Sequence, residues 1–393
     1  MPDNFSPASP PSAARTAGPA RPESPSETRL ESLTIEVTTA CDLRCANCFA
    51  LAALPNKSGM TFEEAEYAAR EGRAAGFRRL HLTGGEPSIW KPFFPLIDAA
   101  FALGYEQIFF NTHGGFLDAR FCERLAKYGD RMRLSISLNG PALLHDAVRG
   151  AGTHERAVSG LRAALQAGLH VLIFTVVGRE LLPELPAFAR TLHEEFPKIA
   201  GLALIPLHRV AEDYYDVDDD LLGPSDFAAL VSMVAALSLS RLRIRIQNQA
   251  LANAVAAAQG ISFFPDVPPM ARYGRLTILR DGKITVAHSS RAALNQSETE
   301  TQVKGLHATD APGKAFRLAP GAIQRIVKNP RYARQPAAGE CADCEFNTLC
   351  TTSGNPGPPT VEYDRPESPD RNAPYCRRTL RWVYARRTGL ESP

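Results

Sequence analysis

The sequence predicts an α/β fold, a partial (βα)6 TIM-like barrel followed by a small irregular C-terminal domain. Three observations predict it. From residue 31 onward, short β-rich runs alternate with helix-like runs, six units in succession, and such alternation argues for a parallel sheet. Six units are two short of a closed eight-fold barrel, so the sheet is expected to stay open. After about residue 240 the rhythm breaks, and clustered cysteines and Pro/Gly-rich stretches follow. The boundaries read as a tail over 1–28, a barrel over 29–240 and a C-terminal domain over 241–393.

In chain order, residues 1–28 hold seven prolines and few large apolar residues, the composition of a disordered tail. The β-like runs are Leu33–Val37, Arg79–Thr83, Gln107–Asn111, Arg133–Leu138, Leu169–Val177 and Leu202–Pro206. Helix-like runs separate them at Thr61–Ala75, Pro92–Leu103, Asp118–Tyr128, Thr153–Ala167 and Leu182–Phe196, with a sixth at Ser225–Leu237. Thr61 with Glu64 is a capping-box pair. Asp118 and Ser225 are candidate N-caps, and Gly76, Gly104 and Gly168 sit where a left-handed residue ends a helix. Beyond the barrel, Leu242–Gln247 reads as a strand and Ala250–Gln259 as a helix. Asp281-Gly282 predicts a hairpin between Arg275–Leu279 and Lys283–Ala287. A last helix is expected over Tyr375–Arg387.

Composition narrows the function classes. With 44 Lys+Arg against 42 Asp+Glu, the net charge is +2, which gives no reason to expect nucleic acid or an anionic membrane as partner. No apolar run approaches the ~20 residues needed to span a bilayer, and no N-terminal stretch has the apolar core of a secretory signal. A cytoplasmic protein is expected. Its eight cysteines are then metal ligands rather than disulfides. Seven fall in two clusters, and Cys122 alone reads as a buried structural thiol.

The first cluster is Thr38-Thr-Ala-Cys41-Asp-Leu-Arg-Cys45-Ala-Asn-Cys48-Phe49, directly after the first strand. Three thiolates on one loop hold three irons of a four-iron, four-sulfur cluster and leave the fourth iron open to a small molecule. A structural zinc knuckle is the alternative, but zinc prefers four ligands and none is supplied nearby. The second strand ends in Leu82-Thr83-Gly84-Gly85-Glu86-Pro87. Two glycines let a ligand approach the backbone, Glu86 can accept hydrogen bonds from an ammonium group, and Pro87 fixes the loop. All these residues follow strand C-terminal ends, where barrel enzymes keep their sites.

Together these motifs resemble the radical SAM superfamily over roughly residues 31–210. The resemblance implies that Cys41, Cys45 and Cys48 hold a [4Fe-4S] cluster whose open iron chelates S-adenosylmethionine. It implies that Gly84, Gly85, Glu86 and Pro87 form the loop contacting the amino group. Ser137, in Ser135-Ile-Ser137-Leu-Asn139-Gly140, matches a serine that contacts the SAM ribose or carboxylate. Arg149, in His145-Asp146-x-x-Arg149-Gly150, is a further candidate to pair with a carboxylate. Asn47 stands where the family usually has an aromatic residue, and Phe49 is the candidate to cover the adenine. Asn111-Thr112-His113-Gly114 resembles the family's Thr-Asn-Gly turn with His113 in place of Asn. His113 and His208 are expected to be structural or to face substrate.

Cys341-x2-Cys344-x5-Cys350, with Cys376 later, can close a metal site completely, and a zinc ribbon is the physical alternative. The spacing resembles the auxiliary-cluster region of the SPASM and twitch branches, which implies a second, auxiliary [4Fe-4S] cluster held by these four cysteines. The acidic run Asp213–Asp220, with Tyr214 and Tyr215, reads as a solvated loop.

The expected function is reductive cleavage of SAM and hydrogen abstraction from a substrate. Maturation of a ribosomal peptide comes first, and a dehydrogenase, epimerase or decarboxylase of a small molecule (tetrapyrrole, sugar or nucleoside antibiotic) second. An electron donor such as flavodoxin or ferredoxin is implied. No leader-binding domain fits in residues 1–30, so a peptide substrate would need a separate carrier. A non-catalytic metal-binding protein is the reading from another class.

Overall fold

A computed structural model describes residues 30, 32–48, 50, 58–207, 217–238, 242–247, 249–261, 275–285, 316–328 and 375–388. The chain runs β1 (Ser32–Thr38), α1 (Phe62–Ala74), β2 (Arg79–Gly84), α2 (Phe93–Ala102), β3 (Gln107–Thr112), α3 (Ala119–Ala126) and β4 (Met132–Ser137). It continues through α4 (Ala142–Arg149), α5 (Thr153–Gln166), β5 (His170–Val177), α6 (Leu185–Glu195), β6 (Gly201–Pro206) and α7 (Pro224–Leu237). Then come β7 (Ile244–Ile246), α8 (Gln249–Ala258), β8 (Arg275–Ile278), β9 (Ile284–Thr285), α9 (Ala322–Lys328) and α10 (Tyr375–Thr388).

The strands form one sheet in the order β7-β6-β5-β4-β3-β2-β1-β8-β9. Neighbours from β7 through β8 pair parallel, and only β8 with β9 is antiparallel. The expected open (βα)6 barrel is therefore present, with two additions. The short β7 extends the parallel sheet beyond β6. The hairpin predicted around Asp281-Gly282 forms, and its first strand joins the other edge, beside β1. All seven residues of β1 are buried, because strands flank both its edges and its faces are covered.

Helix ends follow their local chemistry. Thr61 Oγ1 accepts from the Glu64 N–H at 3.2 Å, and Glu64 Oε2 accepts from the Thr61 N–H at 2.8 Å, completing the capping box. Asp118 caps α3 through the Phe121 N–H at 2.7 Å. Gly76, Gly104 and Gly168 all have positive φ after their helices. Ser225 is not a cap: α7 starts earlier, with Pro224 in its first turn. The N-cap is Gly223, because Pro224 takes the first helical position, and the Asp226 carboxylate accepts from the Gly223 N–H at 2.9 Å.

The core is continuous from sheet to helices. Phe93, Phe94, Phe110 and Phe121 interlock between α2, β3 and α3, with Phe93 and Phe110 edge-on at 4.9 Å. Cys122 is fully buried in this core and unbridged, as expected, and burial pushes its thiol up to about 11. Asp220 departs from the solvated-loop expectation. It is half-buried, and its Oδ1 accepts from the Glu180 N–H at 2.7 Å, which ties the end of the acidic run to the loop after β5.

Candidate functional site: a cysteine loop at the strand ends

Parallel pairing puts the C-terminal ends of β1 to β4 on one face. The cysteine loop leaves β1 there, Gly84–Pro87 leaves β2, His113 follows β3, and Ser137 ends β4. Four consecutive strand ends thus carry every barrel residue that the sequence singles out for cluster or SAM, apart from Arg149, which closes α4.

The cysteine loop packs against the loop after β2 with little space to spare. The Gly85 N–H donates to Thr38 O at 2.7 Å, and the Glu86 N–H donates to Ala40 O at 2.8 Å. A Cβ on Gly84 would lie 2.0 Å from Thr38 O, and one on Gly85 would lie 2.2 Å from Ala40 O. Gly84 also has φ +147, a conformation that glycine adopts most readily. The two glycines admit the chain's own cysteine loop, a closer neighbour than the ligand expected from the sequence.

Within the loop, Cys41 and Cys45 are buried and Cys48 is half-buried, and the three cluster together with Leu43. The Leu43 N–H points at Cys41 Sγ from 3.4 Å. Burial pushes the Cys41 thiol up to about 12. Burial also raises the Cys45 thiol, against the opposing pull of Arg149. Buried sulfurs of this kind stay protonated unless a cation takes the proton's place. Three convergent sulfurs, two of them buried and one of those accepting a backbone N–H, fit an iron–sulfur cluster with one open iron.

Glu86 is 1% exposed, and both carboxylate oxygens are engaged. Oε1 accepts from the Ser88 N–H at 3.1 Å and the Ser88 hydroxyl at 2.7 Å. Oε2 accepts from the His113 N–H at 2.9 Å and lies 3.3 Å from His113 Nε2. A buried carboxylate needs such partners, and these hold the loops after β2 and β3 together. Pro87 opens the short 3-10 turn Pro87–Ile89 that Glu86 caps. An open cleft of about 450 Å³ adjoins this turn, lined by Thr38, Ala40, Met60, Ile89 and Trp90 among others.

Asp42 lies between the first two cysteines. Its Oδ1 accepts from His113 Nε2 at 2.9 Å, and its Oδ2 pairs with Arg156 of α5 at 3.1 Å. Burial raises the Asp42 carboxyl, but His113 and Arg156 outweigh it and hold the group below its usual value. Sequence reading passed over Asp42 as a spacer between ligands. It also passed over α4, whose last turn accepts the Ala46 N–H at Val148 O, 2.9 Å away, and so touches the cysteine loop directly.

Arg149 ends α4 close enough to Cys45 to lower its thiol, and its Nε is buried without a hydrogen-bond partner among the described residues. His145 Nδ1 accepts from the Asn139 N–H at 3.1 Å. Asn139 Oδ1 accepts from the Val176 N–H at 3.2 Å, while its Nδ2 is buried without a partner. Burial pushes the His145 imidazole down to about 3, so the ring is neutral and sets the turn after β4. Asp146 accepts from the Gly152 and His154 N–H groups at 2.7 and 2.8 Å, capping α5. Of the His145–Gly150 run, two residues therefore position the chain and Arg149 faces the cysteines.

Cys341, Cys344 and Cys350 lie outside the described residues, as does the side chain of Cys376, whose backbone falls in the first turn of α10. Phe49, His208, Tyr214 and Tyr215 also lie outside them. Among the described residues, no helix is long and apolar enough to cross a membrane.

The chain is similar in sequence and in fold to known proteins. Residues 35–192 match the family model of the radical SAM superfamily. The GTP 3',8-cyclases of Caulobacter vibrioides and Rhizobium meliloti are 34% and 33% identical over 195 and 196 residues, 47% of this chain and 54% of each relative. The chain spans about half the length of the curated relatives it matches. Streptococcus suis SuiB bound to S-adenosylmethionine superposes with a TM-score of 0.61 at 17% identity, over 82% of this chain and 72% of that one. Native anSMEcpe with bound AdoMet superposes with a TM-score of 0.60 at 16% identity, over 91% of this chain and 97% of that one. At such identities the likeness is one of fold.

Proposed function

We propose, from the match of residues 35–192 to the radical SAM family model, that the chain is a radical SAM enzyme that reductively cleaves S-adenosylmethionine and abstracts hydrogen from a substrate with the 5′-deoxyadenosyl radical. The observation that carries this is the convergence of Cys41, Cys45 and Cys48 with Gly84–Pro87 on one end of a parallel sheet. Cys41, Cys45 and Cys48 would hold a four-iron cluster, which would supply the one-electron chemistry and an open iron for SAM.

The chain's own residues hold and shield that site. Gly84 and Gly85 bring the two loops into register. Glu86, engaged by Ser88 and His113, stiffens the Gly84–Pro87 loop, which would contact the SAM amino group. Ser137 and Arg149 are the further polar contacts, and the unpartnered Arg149 Nε suits an anionic group. The buried surroundings of Cys41 and Cys45 exclude water from a radical. A second [4Fe-4S] cluster on Cys341, Cys344, Cys350 and Cys376 would relay electrons or order the substrate face, and an external flavodoxin or ferredoxin would be the donor. Free cysteines and a reducible cluster suit a reducing compartment such as the cytoplasm.

For the substrate we favour a ribosomally made peptide. The C-terminal cysteine spacing supports it, as does a fold shared over 91% of the chain with anSMEcpe, which has also been solved with a bound peptide. A small-molecule substrate is the second reading, favoured by the 34% identity to a GTP 3',8-cyclase across the shared domain. Incubating reconstituted, reduced enzyme with SAM and GTP separates them. The peptide reading predicts 5′-deoxyadenosine at the same rate with or without GTP, and GTP consumption would overturn it.

A further inference from the structure

His113 stands where three loops meet. Its ring Nδ1 accepts from the Gly115 N–H at 3.1 Å. That bond leaves the ring proton on Nε2, which is 2.9 Å from Asp42 Oδ1 and 3.3 Å from Glu86 Oε2. The ring is 9% exposed by residue. A ligating atom of His113, one of Asp42 and the Cys41 sulfur all lie within 4.8 Å of one another. One N–H therefore faces two carboxylates, one in the cysteine loop and one in the loop after β2. Arg156 closes the far side of Asp42.

We propose that His113 is a positioning residue that latches the cysteine loop to the Gly84–Pro87 loop through its Nε2–H, and so sets where the cluster sulfurs sit. The latch is separate from the backbone contacts of Gly85 and Glu86, because it acts on Asp42, between Cys41 and Cys45. Those contacts grip residues 38–40, whereas the stretch that carries the sulfurs is tied to the barrel by His113, by Asp42–Arg156 and by Ala46. The side chain alone matters here, since the His113 backbone N–H still reaches Glu86 in any variant. Glutamine can put an amide N–H near the place of Nε2. Asparagine fills the turn but stops short of Asp42.

The test begins on the metal-free full chain, by hydrogen–deuterium exchange of the amides in 41–48. Losing a hydrogen bond to a charged group predicts about tenfold or more faster exchange in His113→Ala, with His113→Gln staying close to wild type. An Asp42→Ala/His113→Ala pair exchanges no faster than Asp42→Ala alone, because both remove one contact. Unchanged exchange in His113→Ala overturns the proposal, and so does a His113→Gln variant as fast as His113→Ala. Where His113→Ala does not fold, His113→Asn against His113→Gln decides in the same way.

The role in setting the cluster rests on the radical SAM reading and has its own readout. After reconstitution, His113→Ala shifts the cluster's midpoint potential and the EPR signal of its reduced form with SAM, and His113→Gln restores both. A wild-type chain that binds no iron defeats that reading while leaving the exchange result to stand. Iron binding with unshifted potential and EPR in His113→Ala defeats the proposed effect on the sulfurs.

Discussion

Replacing Gly85 with alanine puts the contact between the cysteine loop and the Gly84–Pro87 loop under load. The new Cβ would lie 2.2 Å from Ala40 O and 2.6 Å from Ala40 C. Van der Waals contact requires the two loops to part by about 1 Å or more. Both neighbouring backbone bonds, Gly85 N–H to Thr38 O and Glu86 N–H to Ala40 O, then stretch beyond useful length. Each is worth about 0.5–1.5 kcal/mol net, so the folded state loses about 1–3 kcal/mol. Urea unfolding of the metal-free chain reads that loss as a lower midpoint at unchanged slope. Iron per chain after reconstitution and desalting should fall in parallel, because Cys41 follows Ala40 directly. Gly84→Ala should cost more, since φ +147 adds backbone strain to a 2.0 Å overlap. A Gly85→Ala protein with wild-type stability and full iron content would refute the steric reasoning.

Other predictions follow from the same geometry. His145 is held near pKa 3 when folded and returns to about 6.5 when unfolded. The unfolded chain therefore takes up a proton that the folded chain refuses, and stability falls as pH drops from about 6.5 toward 3. At pH 5 this costs about 2 kcal/mol. His145→Asn keeps an acceptor for the Asn139 N–H without the titration, so it should lose about 2 kcal/mol less than wild type between pH 7 and 5; an equal loss in urea unfolding contradicts this. Asp146→Ala removes the acceptor for two N–H groups at the start of α5 and should cost about 1 kcal/mol at pH 7, read by the same method. Cys41→Ala should abolish SAM cleavage, whereas Cys350→Ala should spare much of it and remove about four of eight irons. Equal loss of cleavage in two well-folded variants contradicts that division of labour.

The barrel was legible because its strands are β-branched or aromatic runs closed off by turn residues, and its helices carry their own caps. Thr61 with Glu64 and Asp118 needed only local sequence to be recognised, and both act as read. The strand pairings that were missed depend on distant partners. Nothing local says that Arg275–Ile278 pairs with β1, more than two hundred residues earlier, or that the three residues of β7 extend β6. Helix α4 is only eight residues long, has no side-chain cap at Pro141 and leaves Leu143 83% exposed, so little local signal announces it. At the site, the cysteines and Gly84–Pro87 were legible as chemistry. Their mutual support was not. Asp42 was passed over, and His113 was read as structural or substrate-facing without its partner, because the bond that joins them spans 71 residues of sequence. Glu86 was read for its charge, whereas its burial and four short contacts bind it first to the chain itself.

The central claim is that three loop cysteines beside Gly84–Pro87 make a SAM-cleaving centre. Its most direct test is anaerobic reconstitution of the full chain with iron and sulfide, reduction, and quantitation of 5′-deoxyadenosine formed from SAM. The wild-type chain should bind iron and form deoxyadenosine, and a folded Cys41→Ala, Cys45→Ala or Cys48→Ala variant should form none. Zinc without iron, or an iron-loaded wild type that forms no deoxyadenosine under reducing conditions, would contradict it.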